Sequence, residues 1–247
     1  MTTSSGADAC LKPLKPQAAP LRNQIIASLR RAIELGHLVP GTRLIEKDLC
    51  TQLGVSRTSL REALRALQAQ GILEHSRARG LAVSAISHED AENVYRIRAA
   101  LEALIIEQFI EKAGPDEIRS LASESEILKE AYRSGELERI VVTKRSFYDR
   151  ICSGARNPIA FDLLDHLVLR TSSLRSRSLT RKERQRQSIT EIDALVGAIE
   201  RHDLESARRI AAEHVMHSAQ SAFLGDARPS AAKTQISGYT ESSLRGG

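Results

Sequence analysis

The chain has 247 residues and a formal net charge of +5, with 41% hydrophobic residues. That length admits a small module and one further domain of about 140 residues. No apolar run approaches the roughly 18 residues of a membrane span and the N-terminus lacks an apolar signal core, so the expected place is the cytoplasm, with no membrane partner. Cys10, Cys50 and Cys152 are odd in number and scattered, without metal-finger spacing, and read as reduced thiols, Cys50 as a small, partly buried residue.

Residues 1–19 mix Thr, Ser, Gly, Lys and Pro and read as a flexible tail. Leu21, Ile25, Leu29 and Ile33 then recur at helical spacing, and Gly36 stops that helix before a Pro40-Gly41 turn. Ile45, Leu49 and Leu53 give a second, shorter helix its apolar face. Gly54 supplies a tight turn, Ser56 caps a third helix, and Leu60, Ala63, Leu64 and Leu67 form its buried stripe. Arg57, Thr58 and Arg61 are left pointing outward. That is either a solvated face or a helix that touches DNA, since arginines there reach phosphates and the O6 and N7 of guanine. From Ile72 the period changes. His75 to Gly80 forms a basic turn, and Leu81, Val83 and Ile86 alternate as a strand does. Three helices and a hairpin make a winged helix-turn-helix over residues 20–86. Between residues 20 and 85 ten basic side chains face five acidic ones, so the excess charge of the chain resides formally in this segment. Counterion release makes such an excess useful against phosphates.

The ordered series Gly36 to Leu44, Leu53-Gly54-Val55-Ser56-Arg57-Thr58, Arg61-Glu62-Ala63-Leu64 and Gly71-Ile72-Leu73 resembles the DNA-binding domain of the GntR family of regulators. The resemblance implies DNA contacts from Lys47, Ser56, Arg57, Thr58 and Arg61, with Arg77, Arg79 and Gly80 in the wing. Ser59 stands where many members have proline, a change compatible with a helix start.

Ser87-His88-Glu89-Asp90 reads as the cap and acidic first turn of a new domain spanning 88–224. Its apolar pattern is helical throughout, beginning with Val94, Ile97, Leu101, Leu104 and Ile105. Breaks at Gly114-Pro115, Ser134-Gly135, Gly154 to Pro158, Ser178 to Gln187 and His202-Asp203 predict six helices. The fold class is therefore mainly α, a winged helix-turn-helix followed by an all-helical bundle, with a second flexible tail over 225–247. Arg98 to Glu102, Phe147-Tyr148, Asn157-Pro158, Ala198-Ile199, Asp203 to Ala207 and His214 make the bundle similar to the FCD domain, the ligand-sensing half of the FadR branch, and six helices favour the shorter, VanR-like subgroup.

Many FCD domains hold a divalent metal with one aspartate and three histidines. Aligned on that pattern, Lys144, Tyr148 and Ile192 stand at three of the positions and only His214 remains, so neither metal nor other cofactor is expected; Glu191 and Asp193 are the nearest alternative donors. In place of a metal, Lys144 would neutralise a ligand carboxylate and Arg98 clamp it, with hydrogen bonds from Tyr148, Asn157 and His214. The competing reading has Lys144 facing water and Tyr148 filling the core. The run Arg170, Arg175, Arg177, Arg181, Lys182, Arg184 and Arg186 reads as a solvated surface, with a polyanionic effector or extra DNA contacts as the functional alternatives. The resemblance implies a homodimeric, ligand-responsive transcription factor, by default a repressor, on a palindromic double-stranded operator, relieved by a small organic acid. The alternative is a constitutive DNA-binding dimer that has lost sensing. An enzyme is not expected: there is no phosphate-cradling glycine loop, complete metal set or nucleophile with a recognisable base.

Overall fold

The computed structural model describes residues 19–76 and 80–224. Three helices, α1 (Ala19–Glu34), α2 (Glu46–Leu53) and α3 (Arg57–Ala69), precede an antiparallel hairpin of β1 (Leu73–Ser76) and β2 (Gly80–Val83). Ala19, expected in the tail, opens α1. The rest of both predicted tails, and the wing residues Arg77 and Arg79, lie outside the described residues.

Each element follows from local chemistry. Ile25, Leu29 and Ile33 of α1 are buried against Leu49 of α2 and Leu60, Ala63, Leu64 and Leu67 of α3. Gly54 adopts φ 64°, the left-handed conformation that closes α2, and a Cβ there would meet no atom within 4 Å, so the turn asks only for a backbone free to reverse its sign. Ser56 Oγ accepts from the Ser59 N–H and begins α3. One expectation changes: Ile45 caps α2 from an extended backbone and is exposed, so the apolar face of α2 rests on Leu49 and the half-buried Leu53.

Seven helices follow, where six were expected: α4 (His88–Lys112), α5 (Pro115–Ser134), α6 (Leu137–Ala155), α7 (Pro158–Arg170), α8 (Ser172–Leu179), α9 (Lys182–Glu200) and α10 (Leu204–Phe223). The unforeseen break is Thr171, whose hydroxyl donates to the Leu167 carbonyl one turn back and competes with the helical ladder. The helix count therefore does not carry the shorter-bundle subgroup. A second correction concerns Ser178 to Gln187, which is interrupted only at Thr180 and Arg181; Arg184, Gln185 and Ser188 are buried on α9. A buried face built of polar residues with internal partners is invisible to hydrophobic periodicity. The predicted cap of α4 is present, Ser87 accepting from the Asp90 N–H.

The two modules are knit together. Leu169 of α7 lies in the core of the DNA-binding module, and Leu35, just after α1, packs against the core of the helical bundle. Arg30 of α1 donates to Asp165 of α7 at 2.6 Å, and Arg31 pairs with Glu138 of α6. Among the described residues no helix is long and apolar enough to cross a membrane.

Candidate functional site: an exposed recognition helix and a charged cavity

The first turns of α3 present Arg57, Thr58 and Arg61 to solvent, because the opposite stripe is fully committed to the core. Lys47 of α2 is exposed beside them. Arg61 is not free: its Nε donates to Glu46 at 2.9 Å, an exposed pair that competes weakly with a phosphate or a base. Ser56 spends its hydroxyl on the helix cap and on Ser59 Oγ at 3.0 Å. Gly80 begins β2 at φ 71°.

The bundle helices α4, α6, α7 and α8, with the end of α1, border a cavity of about 40 Å3, whose lining includes Glu34, Arg98, Glu102, Lys144, Arg145 and Arg175. One water needs roughly 10–15 Å3 by this kind of measure, so the space has room for about three water-sized groups, the charged head of a small ligand. Arg98 is buried and donates to Glu102, one turn along α4, at 2.9 Å, and Tyr148 donates to the other Glu102 oxygen at 2.7 Å. Burial disfavours the Arg98 charge, and the Glu102 carboxylate more than restores it. Burial and the same carboxylate push the Tyr148 phenol well above its usual range, so it acts as a donor. Cys152 also lines the cavity, and burial raises its thiol to about 12, which removes it as a nucleophile at neutral pH.

Lys144 is buried, which rules out the water-facing reading. Its Nζ lies 3.0 Å from His214 Nε2, and burial together with Arg175 and Arg184 drives its ammonium well below the ordinary lysine range. Behind it, His214 Nδ1 meets Glu191 Oε2 at 2.6 Å and Arg184 Nη2 meets the same oxygen at 2.7 Å. The network assigns the tautomer: Nδ1 carries the proton for Glu191, and Nε2 accepts from Lys144. The 3.1 Å approach of Arg184 Nη2 to Nδ1 then joins two donors and is a contact only; that nitrogen donates also to the His214 carbonyl and Ser218 Oγ, both at 3.0 Å. Burial and the Lys144 amine lower His214 to about 3. Burial raises Glu191, but its bond to His214 and the Arg184 guanidinium outweigh that and hold it at about 2.

The metal that the family resemblance implies does not fit these residues. The His214 nitrogen on the cavity side faces an amine, Tyr148 is turned to Glu102, and Ile192 is buried hydrocarbon. Glu191, His214 and His217 are neighbours, but Arg184 occupies the Glu191 oxygen that faces His214. Asp193 is taken by Lys129. Among the described residues no group of three donors is arranged to hold an ion.

Of the five predicted ligand residues, Arg98, Lys144 and Tyr148 share the cavity, and His214 stands behind Lys144. Asn157 does not join them. It caps α7, accepting from the Ala160 N–H at 3.0 Å and donating to Gln108 at 2.9 Å. Glu102, Arg175, Arg184 and Glu191 were missed as site residues. Arg175 and Arg184 belong to a run whose sequence predicts a solvated surface, yet one lines the cavity and the other is buried. Helical spacing from Arg184 to Glu191 and from Arg98 to Glu102 was the available signal.

A basic helix-turn-helix joined to a helical bundle with a small charged cavity defines a DNA-binding regulator with a sensing domain. Comparison with known proteins gives the family. Residues 21–83 match the model of bacterial regulatory proteins of the gntR family, and residues 93–217 match the FCD domain. The chain is 30% identical over 156 residues to the Escherichia coli regulator McbR, covering 63% of this chain and 71% of that one. It is 26% identical over 199 residues to the uncharacterised Bacillus subtilis regulator YdhC, covering 80% of this chain and 89% of its relative. The solved structure of Escherichia coli McbR/YncC superposes with a TM-score of 0.74 at 27% identity, covering 83% of this chain and 97% of that one. The chain belongs to the GntR family of helix-turn-helix transcriptional regulators, with a C-terminal FCD effector-binding domain. Both relatives are named as helix-turn-helix transcriptional regulators.

Proposed function

We propose that this regulator is a cytoplasmic homodimeric repressor, divided at Ser87, whose hold on a palindromic operator is set by a small organic acid in the bundle cavity, without a metal. The observation that carries the sensing half is Arg175. It lines the cavity, and among the described residues its guanidinium has no hydrogen-bond or ion-pair partner. Arg98 Nε is likewise buried without a partner. One half-buried and one buried donor without a partner at the same cavity favour an anionic, acceptor-rich ligand.

The cavity has a path to the DNA-binding module. Arg145 on its rim pairs with Asp149 and Asp165, and Asp165 holds Arg30 of α1. An anion that draws Arg145 away leaves Asp165 to Arg30 alone, which tightens that tie and changes which orientation of the module is preferred, so differential binding shifts operator occupancy. On the DNA side, Arg57 and Arg61 would read bases, Lys47, Ser56 and Thr58 phosphates, and Arg77, Arg79 and Gly80 would form the wing contact.

Dimerisation is supported by misplaced apolar residues. Ile97 and Leu104, expected in the core, are 55% and 41% exposed, and Ile159 and Leu163 of α7 are 74% and 55% exposed. The Asn157 to Gln108 bond brings the start of α7 alongside α4 on that side. A second copy would cover such a face.

The experiment is anisotropy of a labelled promoter duplex at fixed salt with wild type, Arg57→Ala and Arg61→Ala. Each substitution is expected to weaken specific binding about tenfold or more, from the roughly 1–3 kcal/mol of a bidentate base contact, while circular dichroism stays unchanged. Unchanged affinity in both variants overturns the recognition-helix assignment.

A further inference from the structure

The cavity holds four basic side chains, Arg98, Lys144, Arg145 and Arg175, and four acidic ones, Glu34, Glu102, Asp149 and Asp165. Most are already matched. Arg98 is spent on Glu102, Arg145 on Asp149 and Asp165, and Lys144 donates to the neutral ring of His214. Two groups remain: Arg175 and Glu34, neither of which makes a side-chain hydrogen bond or ion pair among the described residues, although Glu34 adds weakly, after Asp165 and Asp149, to the field that keeps Arg145 charged. Both are half-buried, whereas Arg98, Glu102 and Lys144 are buried, so this unmatched pair belongs to the rim.

The two unmatched charges come from different modules. Glu34 is the last residue of α1, where the helix macrodipole adds its own negative partial charge, and Arg175 sits on α8. The two elements meet closely beside them: a Cβ on Gly36 would lie 3.4 Å from Ser176 Oγ. One unmatched anion and one unmatched cation in one small cavity form a complementary frame for a ligand that carries both charges. A simple carboxylate would satisfy Arg175 and leave Glu34 facing it as a like charge.

We infer that the effector is a small zwitterion of the α-amino acid type, its carboxylate on Arg175 and its ammonium on Glu34, bridging the sensing bundle and the DNA-binding module. This rests on the sensing reading above and narrows it from organic acids in general. Because Glu34 belongs to α1, the ammonium group ties the ligand to the module that carries the recognition helix, which an acid without an amine does not do.

The test is calorimetric titration of the full chain at pH 7 with the proteinogenic α-amino acids, each paired with its deaminated carboxylate and its decarboxylated amine. At least one amino acid is expected to bind, with removal of either charged group weakening it about tenfold or more. Glu34→Gln is expected to erase the advantage of the amino acid over its deaminated carboxylate, with carboxylate affinity held or raised as the like charge is removed, and Arg175→Gln to weaken both. Neither substitution breaks a hydrogen bond or ion pair among the described residues, although Arg175 acts through its charge on Lys144 and Glu34 on Arg145, and circular dichroism verifies the fold of both variants. A carboxylate that binds as tightly as its amino acid overturns the zwitterion inference and leaves the acid-sensing reading standing. An amine that binds as tightly overturns the Arg175 assignment. No binding across the whole panel overturns the zwitterion inference and removes the support for sensing.

Discussion

His214 shows how single side chains set the character of the bundle interior. Its imidazole is held at about 3, against 6.5 ordinarily, by burial and by the Lys144 amine. The unfolded chain takes up a proton near the ordinary value and the folded chain does not, so this contribution to stability is complete above about pH 6.5 and is lost progressively as pH falls toward 3. Glu191, held at about 2 against 4.5, adds a further loss below about pH 4.5. Thermal unfolding between pH 7 and pH 5 should therefore show Tm falling by up to roughly 3–5 °C per pH unit, and His214→Gln should flatten that slope. An unchanged slope in the variant would show that another group governs the acid response. Lys144 has the same sign: a lysine kept neutral by its surroundings lowers stability at neutral pH, which marks it as a residue retained at a cost.

At the scale of elements, α6 crosses α4 closely at Gly154. A Cβ on Gly154 would fall 2.5 Å from a ring carbon of Phe109, a side chain with 0% exposure. Gly154→Ala is expected to destabilise the chain by about 1–3 kcal/mol, read as a lower urea midpoint, since the ring is walled in and cannot move aside. An unchanged midpoint would mean that the two helices separate freely there. The DNA-binding module was legible in the sequence because its decisions are local: the periodicity of α3, the Gly54 turn and the Ser56 cap each depend on a few neighbours in the chain. The bundle was less so. Thr171 breaks a helix that periodicity continues, and Arg184 and Gln185 look like solvated residues until Glu191, His214 and the Leu179 carbonyl are brought to them by the fold. Asn157 was misread for the complementary reason: resemblance supplied a ligand role, whereas the side chain is consumed by a cap and by Gln108.

For the molecule as a whole, two properties follow from surfaces. The exposed Ile97, Leu104, Ile159 and Leu163 predict that Ile97→Glu converts a dimer into a monomer in light scattering, while a dimer that persists would place the interface elsewhere. The second is the proposed communication between modules, for which the contacts available are Leu169 in the DNA-module core, the Arg145, Asp165 and Arg30 chain, and Glu34 at the cavity rim. Whether occupancy of this cavity sets DNA affinity is read by anisotropy of a promoter duplex with the full chain, with and without a saturating amount of whichever small acid or amino acid binds best. A change in Kd of about fivefold or more is expected, and it disappears in Arg175→Gln. The same Kd with and without saturating ligand would contradict control by the cavity.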